Sequence, residues 1–135
     1  MKRRIAAALL VTLLPLGMAA CGSQSKADAC KEVQGAATKV VEDFSASSAA
    51  LTDPQALKDQ MAKTADTFRE AAKKVSNKEV KDVLDPYVES LDKLKDMDPA
   101  GALSGDTEYS TAVNDASTKA NALASLCGIS NGLNK

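Results

Sequence analysis

Apolar side chains recur at intervals of three and four residues through most of the chain, the spacing that lays one apolar stripe along an α-helix. In the first stretch Cys30, Val33, Ala37, Val40, Phe44, Ser47 and Leu51 share such a stripe and predict a helix of about 25 residues. Gly35 lies off the stripe and weakens that helix by about 1 kcal/mol relative to Ala. Asp53-Pro54 then makes a start signal: a carboxylate that can accept from free N–H groups, followed by a proline whose missing N–H is not needed there. The second stripe runs over Leu57, Met61, Ala65, Phe68, Ala72 and Val75. Ser76-Asn77-Lys78-Glu79 has the form of a capping box, and Val80, Leu84, Tyr87, Leu91 and Leu94 form a third stripe. Pro86 falls inside the third stripe; it removes a hydrogen bond and restricts Asp85, which predicts a kink, or a break with Asp85 capping a restarted helix. Residues 98–105, with two Gly and a Pro, read as the one substantial loop. The fourth stripe begins near Asp106 with Tyr109, Val113, Ala116, Ala120, Leu123 and Cys127, and Gly128 stands where helices commonly end.

The first twenty residues have a different pattern. Lys2, Arg3 and Arg4 precede an apolar run from Ile5 to Leu16, broken only by Thr12 and Pro15, which is the form of an export signal. The run is shorter than the roughly 20 apolar residues that span a bilayer. Gly17-Met18-Ala19-Ala20 follows, and then Cys21. With Ala19 and Ala20 before Cys21, the segment resembles the lipobox of bacterial lipoprotein precursors, with Met18 standing where Leu is usual. The resemblance implies that Cys21 is acylated and becomes the mature amino terminus. The alternative is simple secretion, with Gly17-Met18-Ala19 read by a general signal peptidase. Arg3-Arg4 lacks the rest of a twin-arginine signal, since Ile5-Ala6-Ala7 follows it.

The cysteines fit the same picture. Three Cys in an exported protein leave one unpaired. If Cys21 carries lipid, Cys30 and Cys127 remain as a pair. Four helices joined by short turns suggest an all-α, antiparallel, up-down-up-down bundle, in which the chain returns to its starting end. Cys30 and Cys127 lie in the first turns of helix one and the last turn of helix four, so a Cys30–Cys127 disulfide should close the bundle. The predicted organisation is a signal peptide over 1–20, a lipid-anchored flexible tether over 21–27, the bundle over 28–128 and a disordered tail over 129–135.

Composition sharpens this reading after the signal is set aside. The remaining 115 residues carry 14 Lys and Arg against 18 Asp and Glu, a net charge of −4. Such a balance gives nothing to attract nucleic acid or anionic lipid, so membrane contact falls to the anchor. Leu, Ile, Val and Phe number 20 in those 115 residues, and 19 more are Ala, which makes for a thin core that a covalent staple would support. The chain has no His, which removes imidazole-based metal sites, acid–base pairs and triads.

The remaining candidate chemistries are weak in sequence. Ser90-Leu91-Asp92-Lys93 and Ser23-Gln24-Ser25-Lys26 match the Ser-x-x-Lys of penicillin-interacting enzymes, without the accompanying Lys-Thr-Gly. The stretch from Asp96 through Asp98 and Gly101 imitates a calcium loop, but Ala100 and Thr107 occupy positions that should supply oxygen ligands. Asp82, Asp85, Glu89 and Asp92 form an acidic run at helical spacing, read as a solvated face or a dock for a basic partner. Phe44, Phe68, Tyr87 and Tyr109 fall one per helix, as core or as the lining of an apolar ligand site.

The whole chain is similar in character to the small Ala-rich lipoproteins and secreted proteins of actinobacteria, a likeness that brings no site residues with it. The expectation is a non-enzymatic module without cofactor or metal, anchored to the outer face of the cell membrane, that binds or regulates an envelope protein. A carrier of a small apolar ligand between the helices is the alternative.

Overall fold

Four long helices occupy the four apolar stripes in the computed structural model, which describes residues 24–47 and 53–129, the side chains of Ala102 and Leu103 aside. They are α1 (Lys26–Ala46), α2 (Pro54–Lys74), α3 (Lys78–Asp96) and α5 (Thr107–Cys127), with a single short helical turn, α4 (Ala100–Ser104), inside the predicted loop. No strand occurs among the described residues. The expected signal peptide (1–20), Cys21, Leu51 and residues 130–135 of the expected tail lie outside them, whereas Ile129, the first residue of that tail, packs against the core.

Local chemistry sets the helix ends. The Asp53 side chain accepts from the Gln55 N–H at 2.9 Å with Pro54 opening α2, as the start signal requires. At α5 the Asp106 carboxylate accepts from the Glu108 N–H at 2.8 Å. Gly128 closes α5 with φ 62°, a left-handed conformation that a side chain would oppose.

Three boundaries differ from the sequence expectation. Helix α1 begins at Lys26, capped by Ser25, so Lys26 and Ala27 belong to the helix and not to a tether. The cap of α3 is Asn77, whose side chain accepts from the Val80 N–H at 3.1 Å; Ser76 is one residue too early, and its hydroxyl instead accepts from the Gln24 N–H. Pro86 does not split α3, which runs unbroken through it.

The helices alternate in direction. Lys74 at the end of α2 pairs with Glu32 near the start of α1, and Lys81 at the start of α3 reaches the Ala72 carbonyl near the end of α2. Gln34 donates to the Cys127 carbonyl at the end of α5. The N-terminal parts of α2 and α5 meet at the opposite end, where the Tyr109 hydroxyl lies 3.9 Å from the Met61 sulfur. This is the up-down-up-down bundle, in which the second and fourth long helices are parallel.

The core follows the stripes closely in α2 and α3 and incompletely in α1 and α5. Val33, Val80 and Leu84 are fully buried, with Phe68, Val75, Leu123 and several Ala around them. Phe68 and Tyr87 pack edge to face with ring centroids 5.0 Å apart, a favoured aromatic geometry. In α1 burial ends early: Val40 is half-buried and Phe44 is 44% exposed. The helix rests mainly on α2 and meets α3 and α5 over much shorter stretches, so its far end lacks a neighbour on that side. Val113 on α5 is likewise exposed.

Candidate functional site

The disulfide and the start of the described chain share one end of the bundle. There Cys30 and Cys127 form a disulfide, with Cα atoms 5.2 Å apart, joining the first and last long helices as the topology requires. Both cysteines are buried and sit within the main core cluster. Cys21, the expected lipid attachment point, lies outside the described residues, three positions before Gln24.

Gln24 is held in place by the turn between α2 and α3. Its backbone N–H donates to Ser76 Oγ at 3.3 Å, its side-chain carbonyl accepts from the Ser76 N–H at 3.0 Å, and its backbone carbonyl accepts from Asn77 Nδ2 at 3.1 Å. Two residues on, Lys26 Nζ meets Glu79 Oε1 at 2.7 Å. The expected flexible tether over residues 21–27 is therefore fixed to the bundle from Gln24 onward. Nothing in the hydropathy pattern marks Gln24, because its partners are Ser76 and the Asn77 side chain, some fifty positions away.

Ser25 holds Asp28 in the same region. Its hydroxyl donates to the Asp28 carboxylate at 2.7 Å and accepts from the Asp28 N–H at 3.1 Å. The Ser25 hydrogen bond, aided by Lys31, holds the Asp28 carboxyl below its usual value.

The other candidates are used within the fold. Ser90 is buried, and its hydroxyl donates to the Tyr87 carbonyl at 2.7 Å, while Lys93 on the following turn is exposed. Lys26 of the second Ser-x-x-Lys match is paired with Glu79, and Ser23 lies outside the described residues. Around the loop that imitates a calcium site, Asp98 accepts from the Ala100 N–H, Asp96 pairs with Lys95, and Asp106 caps α5. No cluster of three or more metal-ligating side chains is present among the described residues.

Most of the acidic run on α3 has partners in the chain. Asp82 pairs with Lys78, Asp85 with Lys81, and Asp92 with Arg69 of α2. Arg69 also holds Asp66, and this hydrogen bond comes first among the influences that raise the guanidinium above its ordinary value. Glu89 is exposed.

The four aromatics do not line one cavity. Phe68 and Tyr87 fill space against each other, Tyr109 reaches Met61 at the far end, and Phe44 is substantially exposed. The grooves are open and charged at their edges; one of about 460 Å³ between α1 and α2 is bordered by Glu32, Lys39, Asp66 and Lys74. One buried polar group escaped the sequence reading. Gln60 is 4% exposed, and its Nε2 has no hydrogen-bond partner. The signal was its place beside Leu57, Met61 and Thr64 on the inner side of α2.

Burial pushes the Tyr87 hydroxyl above its ordinary value of 10.0. A raised folded value means that the fold favours the neutral phenol. Its contribution is complete below pH 10.0 and is lost as the pH rises through the folded value. Denaturant melts at pH 8 and pH 11 should show that Tyr87→Phe loses less stability over this range than the wild type; equal losses would contradict the assignment.

No curated protein and no solved structure matches the chain. A domain of unknown function, DUF8711, matches residues 24–128, a span that opens at the clamped Gln24 and closes at Gly128 behind the disulfide. Because that match covers most of the sequence and the whole bundle, the chain belongs to the DUF8711 family.

Proposed function

We propose that the protein is a lipid-anchored, non-enzymatic helical module on the outer face of the cell membrane, where its bundle binds or regulates another envelope component. The observation that carries this reading is the division of the three cysteines. Cys30 and Cys127 bond to each other, leaving Cys21, which directly follows an export-type apolar run and small residues, as the odd thiol. An intrachain disulfide suits an oxidising compartment outside the cytoplasm. Attachment is assigned to the acyl chains on Cys21; within the described residues no helix is long and apolar enough to cross a membrane.

The non-enzymatic part of the reading is supported by the buried Ser90 hydroxyl and by the carboxylate pairing described above. The exposed Val41, Phe44 and Val113 give the bundle apolar surface that a partner protein could cover.

Fractionation of cells producing wild type and Cys21→Ala tests the anchor. Wild type should sediment with membranes and be released by detergent, whereas Cys21→Ala should lose at least tenfold of its membrane-bound fraction. Wild-type protein wholly in the soluble fraction would overturn the reading in favour of simple secretion.

A further inference from the structure

The bundle is electrically lopsided along its length. When each long helix is divided at its midpoint, at Ala36, Thr64, Tyr87 and Ser117, the half containing the disulfide has eight Lys and Arg against seven Asp and Glu. The other half, with Asp53, Asp98 and Asp106 of its connecting segments included, has five against eleven. The net charge of the described residues therefore lies in the half farther from Gln24. In the near half the lysines stand in local pairs, including Lys26 with Glu79, Lys74 with Glu32 and Lys78 with Asp82.

The clamp on Gln24 ties this polarity to the anchor. Only Gly22 and Ser23 separate Cys21 from Gln24, so even a fully extended chain places Cys21 within about 11 Å of Gln24. Gln24 itself is hydrogen-bonded to Ser76 and Asn77, the turn that forms the end face of α2 and α3.

We infer that this end face, built from the α2–α3 turn and the start of α1, docks on the lipid headgroups and holds the bundle upright with its acidic half away from the membrane. The inference rests on the lipidation of Cys21 proposed above. Two independent constraints support it. The short link limits how far the end face can rise, and the anionic headgroups oppose any tilt that lowers the acidic half. A helix of 21 residues is about 32 Å long, so an upright bundle keeps most of the acidic half more than about 10 Å from the surface, beyond the Debye length at physiological ionic strength. Lying flat would bring those carboxylates within that distance of anionic lipid.

Neutron reflectometry of the full-length lipoprotein, purified from membranes and reconstituted in supported bilayers of phosphatidylcholine with one quarter phosphatidylglycerol, tests this arrangement. The wild type should give a protein layer about 30 to 35 Å thick that begins at the headgroups without a separate water layer. Gln24→Gly combined with Ser76→Gly and Asn77→Asp removes all three clamp hydrogen bonds while keeping an oxygen to cap α3, and should broaden the layer and open a hydrated gap. Circular dichroism should show that the variant keeps its helices.

A wild-type layer only about 20 Å thick, the width of two packed helices, would show the bundle lying flat and would overturn the inference. The same layer profile for wild type and the folded clamp variant would also overturn it. Neither result touches the anchor. Absence of acyl groups on the purified protein, read by mass spectrometry, would instead remove the lipidation reading and the inference with it.

Discussion

Replacing both Cys30 and Cys127 with alanine is expected to lower the unfolding free energy by about 4 to 5 kcal/mol, the largest effect of any small change to this chain. The cysteines are 97 positions apart, so their bond constrains nearly the whole unfolded domain. In the chain-entropy account, closing a loop of this length restricts the unfolded ensemble strongly, and the native bundle already brings the two helix ends together. The structure adds a second reason. Helix α1 packs mainly on α2 and meets α5 over a short stretch around the disulfide, so few noncovalent contacts would replace the bond. Guanidinium melts of wild type and the double variant should show a large fall in midpoint. A difference below about 1 kcal/mol would mean that the folded bundle is held by its packing alone.

Leu84→Ala should cost about 3 kcal/mol. Leu84 is fully buried on α3, the helix that packs extensively against both α2 and α5. Its surroundings include Val33, Phe68 and Val80, and much of the remaining core is Ala, whose short side chains cannot extend into the space vacated. The loss therefore combines the transfer free energy of the missing methyl groups with the cost of a cavity. In a domain of about a hundred residues a change of this size corresponds to roughly 15 °C in Tm. Val41→Ala serves as the contrast: Val41 is 64% exposed and should change stability by less than about 0.5 kcal/mol. Similar effects at both positions would contradict the assigned core.

The two variants also show why some of the fold was legible in sequence. Leu84 and Cys127 lie on stripes whose three- and four-residue spacing is itself the cause of helix burial, and the even number of antiparallel passes determines that Cys30 and Cys127 meet. Asp53 and Asp106 were legible as helix starts for a similarly local reason: the cap and the N–H groups it satisfies are neighbours in sequence.

What sequence did not disclose depends on contacts between distant segments. Phe44 continues the stripe of α1, yet it remains exposed because the placement of α1 on α2 leaves that end without α5. Ser76 had the right composition for a cap, but Gln24 uses its hydroxyl and Asn77 caps the helix instead. The same hydrogen bonds turn most of the supposed tether into part of the bundle. Pro86 was a reasonable place for a break, but residues on both sides of it are buried in α3 and hold one continuous helix.

The proposed anchor makes Cys21 the lipid-bearing first residue of the mature protein. Mass spectrometry of the N-terminal peptide, from protein isolated out of the native membrane, tests it most directly. The expected result is a peptide that starts at Cys21 and carries the added mass of a thioether-linked diacylglycerol. An unmodified peptide that starts at Ala20, or at Cys21 with a free thiol, would contradict it.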